Sequence, residues 1–382
     1  MASETGKKTV KKKPVAKTAA ASRKNVNGHS AGFPEAQSMT VSFNTYPPSN
    51  KTHRQLGLTK AQVLDMYENM LLQRRFEERA AQMYGKQKIG GFLHLYIGQE
   101  AISTGAAQAL RIGEDSVITA YRDHGLGLAL GMDANACMAE LFGKIGGCSR
   151  GKGGSMHYFD AELKMMGGHG IVGAHIPVGT GIAFANKYKG EDTVCLTFFG
   201  DGAIHQGAFH EAANLASLYD LPVIFIVENN QYAMGTAVER AAAEPDLYKQ
   251  ALSYDMPSSL VSGMDVFSVY EAMKHHVGLA RKNKPSLIEI RTYRYRGHSM
   301  SDPQKYRTKE ELDAKKDEDP ILRLKAYLLE HKMATNAALD KIDDAVKQQV
   351  MESVEFAENS PAPALETIYE DIYGENNFPL TT

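Results

Sequence analysis

A chain of 382 residues, 43% of them apolar, is long enough for one large α/β domain or two average ones with a substantial core. Lys and Arg number 43 against 45 Asp and Glu, a formal net charge of −2, which argues against nucleic acid as a partner of the chain as a whole. Cys137, Cys148 and Cys195 form no Cys-x-x-Cys pair and no apolar run reaches the length of a membrane span, so disulfide scaffolds, zinc sites and membrane proteins are excluded and a soluble intracellular chain is expected.

Eight Lys and Arg between Lys7 and Lys24 stand among Ala, Thr, Ser and Val, opposed only by Glu4. Such a segment lacks the apolar surface to fold alone and reads as a disordered basic tail, with an arm that docks on an acidic partner as the alternative. A transit peptide is basic and acid-poor too, but typically Arg-rich and amphipathic, which this stretch is not. Residues 32–54, with their Pro and Asn clusters, read as a linker, so residues 1–50 are tail and linker. Thr59 and Gln62 form a capping-box pattern, and the apolar spacing beyond them predicts a long amphipathic helix whose charges from Arg74 to Arg79 make a solvated face. Val117 to Tyr121 is a short strand candidate, followed by Arg122, whose planar donor fork suits phosphate oxygens. The segment from Gly143 to Gly154 is too glycine-rich for regular structure and reads equally as a mobile flap or a phosphate cradle. From Gly167 to Gly181 the sequence runs into a helix whose glycines point to close backbone approach.

The central stretch follows. Val194 to Phe199 reads as a buried strand ending at Gly200, Asp201 and Gly202 make a turn, and Ala203 to about Tyr219 has helical apolar spacing. A second buried strand runs from Val223 to Val227. Strands joined by a helix are almost always parallel neighbours, so Gly200-Asp201-Gly202 and Glu228-Asn229-Asn230 emerge at one sheet edge, where open α/β sheets bind ligands. Asp201 offers a carboxylate, Asn230 an amide carbonyl and the loop beyond it backbone carbonyls, a hard-oxygen set that suits magnesium bridging phosphates. Gly202, at a helix start, brings bare amide N–H groups to an anionic diphosphate. A further strand, within Pro285 to Arg291, leads to the loop from Tyr293 to Pro303, where His298 is the side chain able to exchange a proton near neutral pH. The last seventy or so residues are expected to be helical: Thr308 with Glu311 forms a second capping box, Asp319-Pro320 starts a helix, and another runs from Ala338 to Glu358.

Gly-Asp-Gly followed, one helix and one strand later, by Asn-Asn resembles the thiamine diphosphate signature. The words GFLHLYIGQEA, YRDHG, GKGGSMH, GGHGIVGAHIPVGTG, ENNQYAMGT and YRYRGHSMSDPQKYRT extend the likeness over residues 58–370 to the alpha subunits of the thiamine diphosphate-dependent 2-oxoacid dehydrogenases, those acting on pyruvate in particular. The resemblance implies a thiamine diphosphate-binding α/β fold over residues 51–310, with a central, mainly parallel sheet flanked by helices, and a helical C-terminal extension of the same domain over 311–382. It implies oxidative decarboxylation of pyruvate with acetyl transfer to the lipoyl group of dihydrolipoyl acetyltransferase, the cofactors being thiamine diphosphate and Mg2+. It assigns the metal to Asp201, Asn230 and the main-chain carbonyl of Tyr232, and the diphosphate to Tyr121, Arg122, Gly200, Gly202 and Ala203. Main-chain groups of Gly170 and Val172 lie against the aminopyrimidine, and His94 and His298 are the catalytic residues on the substrate side. No acid in this chain is assigned to activate the aminopyrimidine, so the resemblance implies a beta subunit and an α2β2 heterotetramer.

Departures from the family pattern are His205 and His175, both expected to adjust the substrate pocket, and the retention of only Ser299 among its phosphorylation positions. These favour a bacterial, cytoplasmic setting, with mitochondrial matrix or plastid stroma as the alternative. Branched-chain 2-oxoacid and acetoin enzymes share the cofactor signature, and the word HSMSDP favours pyruvate. A magnesium-dependent phosphohydrolase would need further acids near Asp201, and a binding protein built on the basic tail leaves both strand-end motifs unexplained.

Overall fold

The computed structural model describes residues 41–371, and the basic tail lies outside them. The strand β1 (Phe43–Tyr46) is followed by α1 (Lys60–Gly85), α2 (Glu100–Ala107), β2 (Ser116–Ala120), α3 (His124–Ala129) and α4 (Ala134–Leu141). Then come β3 (Met165–His169), α5 (His175–Lys189), β4 (Cys195–Gly200), α6 (Gly207–Leu218) and β5 (Val223–Asn229). A small hairpin of β6 (Tyr232–Ala233) and β7 (Thr236–Ala237) leads through α7 (Val238–Ala241) to β8 (Ser258–Ser262), α8 (Val266–Ala280) and β9 (Ser286–Arg291). The helices α9 (Lys309–Lys316), α10 (Pro320–Glu330) and α11 (Asn336–Asn359) complete the described chain.

Seven strands form one sheet in the order β1-β8-β9-β5-β4-β2-β3, and every neighbouring pair is parallel. The expected α/β fold with a central parallel sheet is therefore the fold observed. Its central strands are continuous apolar runs because both faces are covered. Alternate residues point to opposite faces. Leu196, Phe198, Ile224 and Ile226 join the core with α1, α4 and α8, whereas Cys195, Phe199, Phe225 and Val227 join the core beneath α5 and α6. Each large side chain buried in this way contributes about 1.5–3 kcal/mol. Gly179 of α5 permits that packing: a Cβ there would lie 2.1 Å from Thr197 Oγ1 on β4.

Several expectations are corrected. The 32–54 linker contains β1, which pairs with β8 at the sheet edge. Gly167 and Gly168 belong to β3, a strand whose glycines concealed it; a Cβ on Gly168 would lie 1.9 Å from Asp123 Oδ2. The helix expected from Ala203 starts at Gly207, because Ala203–His205 form a 3-10 turn and Gln206 is extended. Gly202 therefore precedes a single tight turn, not an α-helix. The charges of α1 are not all solvated: Arg74 pairs with Glu100 and Asp319, and Glu77 is buried.

The segment 143–154 wraps a carboxylate of its own chain. Glu140, at the end of α4, is fully buried; one of its oxygens accepts from the Ser149 and Gly151 amides at 2.8 Å each, the other from Gly153 and Gly154 at 2.7 and 2.9 Å. The N–H groups that a phosphate cradle would use are thus already engaged. At the C-terminal side, Thr308 caps α9 through the Glu311 amide, but the Glu311 side chain accepts from the hydroxyls of Tyr232 and Tyr293. Half of that capping box is diverted to hold the β6 hairpin.

Candidate active site

The carboxyl ends of β2, β4, β5 and β9 bring most of the expected residues to one edge. In the parallel β4/β5 register Gly200 lies opposite Glu228, so Asp201 and Asn230 leave the sheet side by side. Both are buried. Burial pushes the Asp201 carboxyl up to about 6, while backbone amides of Asp201 and Asn230 and the charge of Arg294 pull it back.

Asn230 is held from two sides: its Nδ2 donates to Gln99 Oε1 at 2.9 Å and its Oδ1 accepts from Arg294 Nη1 at 3.0 Å. The same Nη1 donates to the Tyr232 carbonyl at 3.0 Å. Two of the three oxygens assigned to the metal therefore converge on one cationic nitrogen beside the third. Each carbonyl oxygen has a second lone pair beyond the one Arg294 takes. The donor set, one carboxylate and two neutral oxygens, fits magnesium that completes its shell with phosphate oxygens and water. Among the described residues no group of three or more His, Cys, Asp and Glu is placed to hold a metal by itself.

Within range of the Arg294 charge lies an aromatic cluster. The ring of His94 is 4.7 Å from that of Tyr121 and 5.2 Å from that of His298, and Tyr121 and His298 are 5.5 Å apart. Burial, with the charge of Arg122 next, lowers His94 to about 3 and His298 to about 4, so both rings are neutral at pH 7. Arg122 engages two of its five N–H donors within the chain: Nη1 donates to the Leu95 carbonyl at 2.6 Å and Nη2 to the His298 carbonyl at 2.9 Å. It ties the His94 loop to the His298 loop, and its guanidinium lies 5.9 Å from the Tyr121 ring centroid. Gly170 and Val172 sit in the turn between β3 and α5, with Ile171 and Val172 exposed.

The two departures from the family pattern follow residues assigned to the cofactor in the chain. His175 is buried at the start of α5, and its Nε2 donates to the Phe198 carbonyl at 2.7 Å, so it braces β4 from beneath. Burial lowers it to about 4. His205 is exposed on the 3-10 turn.

Arg294, Gln99 and Glu228 were missed by the sequence reading. Each stands in a motif word without a role of its own. The available signal for Arg294 was an arginine among tyrosines just after an apolar strand, a position that demands a partner. Glu228 accepts from the Tyr96 hydroxyl at 2.5 Å and is pushed up by burial to about 7.

A parallel α/β sheet with polar side chains and neutral imidazoles gathered at its carboxyl edge is the arrangement of an open α/β enzyme that binds its ligand at the strand ends. Residues 68–366 match the dehydrogenase E1 component, and the chain belongs to that family. It is 49% identical over 315 residues to the alpha subunit of the pyruvate dehydrogenase E1 component of Rickettsia bellii, covering 82% of this chain and 96% of that one. The corresponding subunit of Rhizobium meliloti is 52% identical over 316 residues, covering 82% of this chain and 90% of its own length. A chloroplastic alpha subunit from Arabidopsis thaliana is 46% identical over 327 residues, covering 84% of this chain and 76% of its own.

Proposed function

We propose that this chain is the alpha subunit of a pyruvate dehydrogenase, which decarboxylates pyruvate with thiamine diphosphate and Mg2+ and passes the acetyl group to the lipoyl domain of dihydrolipoyl acetyltransferase. The observation that carries the cofactor reading is that Asn230 Oδ1 and the Tyr232 carbonyl turn toward one donor, Arg294 Nη1, at the strand edge that also carries Asp201. The names of the relatives supply the substrate.

On this reading Asp201, Asn230 and the Tyr232 carbonyl hold the metal, and Gly200, Gly202, Ala203 and Tyr121 surround the diphosphate. Arg122 acts through its charge and by joining two loops. Gly170 and Val172 offer main-chain groups to the aminopyrimidine. When bound, the cofactor supplies the carbanion and the electron sink for decarboxylation. His94 and His298, as neutral imidazoles, each offer an N–H donor or a proton acceptor to the substrate.

The acid that activates the aminopyrimidine comes from a beta subunit, in an α2β2 heterotetramer. An apolar face supports a subunit contact: Val178, Phe184 and Tyr188 on α5 and Leu215, Leu218 and Tyr219 at α6 are exposed together, with Phe184 6.4 Å from Tyr188 and 6.1 Å from Tyr219. Contiguous apolar surface of this kind marks association sites. Residues 51–310 serve as the cofactor-binding domain and 311–382 as its helical extension. No helix among the described residues is long and apolar enough to cross a membrane, and the bacterial relatives favour the cytoplasm.

Calorimetry tests the anchoring role: thiamine diphosphate and Mg2+ are titrated into the chain co-expressed with its partner, then into Asp201→Ala. Heats of binding are expected to vanish in the variant, and undiminished binding would sink the assignment.

A further inference from the structure

His94 stands in a stretch without regular secondary structure, between α1 and α2, so nothing in a ladder or helix fixes its ring. Side chains hold its backbone instead. The His94 N–H donates to Ser155 Oγ at 3.1 Å, the Leu95 carbonyl accepts from Arg122, and the Tyr96 N–H donates to Glu77 Oε1 at 2.7 Å. Ser155 and Glu77 are in turn joined through His124. Its Nδ1 lies 3.1 Å from both Glu77 oxygens, and its Nε2 lies 3.0 Å from both the carbonyl and the hydroxyl of Ser155. All three residues are buried.

A carboxylate and a carbonyl are acceptors only, so the geometry asks both ring nitrogens of His124 to donate. The charges of Glu77 and Asp123 shift the ring upward against burial. Charged hydrogen bonds in a dry interior are short, strong and costly to break singly. They make a stiff frame.

We propose that Glu77, His124 and Ser155 are positioning residues that form a buried charged clasp and set where the His94 ring stands. This rests on the reading that His94 faces the substrate. Ser155 and Glu77 act through the backbone at 94 and 96, and the charge of His124 also bears on the His94 ring.

The test is a double-mutant cycle in the co-expressed, cofactor-loaded assembly, combined with amide exchange. Ser155→Ala is expected to lower kcat/KM for pyruvate by about ten-fold or more, since small misplacements of reacting groups are costly. It should lower kcat more than it raises KM, and leave thiamine diphosphate affinity by calorimetry within about two-fold. His94→Ala should lower kcat/KM at least as far, and the double variant should be no worse than His94→Ala alone, as groups acting through one another are non-additive. In Ser155→Ala, but not in His94→Ala, amide exchange across residues 90–99 should accelerate by about ten-fold or more as a buried hydrogen bond is lost. Losses that multiply in the double variant, or unchanged exchange in Ser155→Ala, would overturn the clasp. Full activity in His94→Ala would instead overturn the substrate-side reading, with the exchange result still deciding the clasp. Should Ser155→Ala fail to fold, His124→Gln, which keeps a donor toward Ser155 but removes the ion pair, is read in the same cycle.

Discussion

At Arg294 a guanidinium with almost no exposure meets five oxygen acceptors: Asn230 Oδ1, the carbonyls of Tyr232, Met234 and Arg296, and the Tyr306 hydroxyl. Five donors meet five acceptors, which is what allows a permanent charge to be buried. Its field also helps to keep His94 and His298 neutral. His276 shows the same desolvation, with the neighbouring His275 as a second, smaller cause: fully buried on α8, with Nε2 2.7 Å from Ser259 Oγ, it is lowered to about 3. The folded state refuses a proton that the unfolded chain takes up below 6.5, so the His276 contribution is present above 6.5 and lost as pH falls toward 3. The slope is at most about 1.4 kcal/mol per pH unit. Thermal unfolding of the chain and of His276→Asn is therefore expected to show the gap between them narrowing as the pH is lowered through that window. A gap that widens would contradict the account.

At the scale of elements, the glycine-rich turn after α4 is organised by one carboxylate rather than by a ligand. Bonds to a charged acceptor are worth about 1.5–3 kcal/mol each when measured by deletion. Glu140→Gln keeps one acceptor oxygen and loses the other with the charge, so it should cost about 2 kcal/mol or more in denaturant unfolding and speed amide exchange across residues 149–154. Unchanged exchange there would show that the segment is held otherwise. The long strand–helix–strand unit, the capping of α1 by Thr59 and the Asp319-Pro320 start of α10 were legible because each rests on local chemistry. The onset of α6 was not, since Gln206 is extended by its place above the sheet, where Gly173 packs against it, and not by any breaker of its own. β3 was illegible for a related reason: its glycines answer to Asp123 and Phe159 packed against them.

At the scale of the molecule, Arg74 links α1, the start of α2 and the cap of α10, joining the C-terminal helices to the sheet domain. The face of α5 and α6 exposes several large apolar side chains. Tyr188 is 84% exposed and Leu218 66%, so charges placed there leave the fold intact while opposing association. Tyr188→Glu with Leu218→Glu is expected to reduce the mass of the co-expressed assembly by light scattering without lowering the melting temperature of the chain alone. An unchanged mass would place the subunit contact elsewhere.

From the residues alone came the parallel sheet core, the pairing of Asp201 with Asn230 at one edge and the placing of Tyr121 and His298 at other strand ends. Each follows from short-range pattern: buried strands, a crossover helix and turns at their ends. Tertiary structure alone decided that His94, Tyr121 and His298 form one cluster, that Arg294 bonds Asn230 and Tyr232 while its charge bears on His94 and His298, and that Glu77, on a helix face read as solvated, is buried. Such contacts join residues far apart in the chain, and a charge declares whether it is buried only when its partner has arrived.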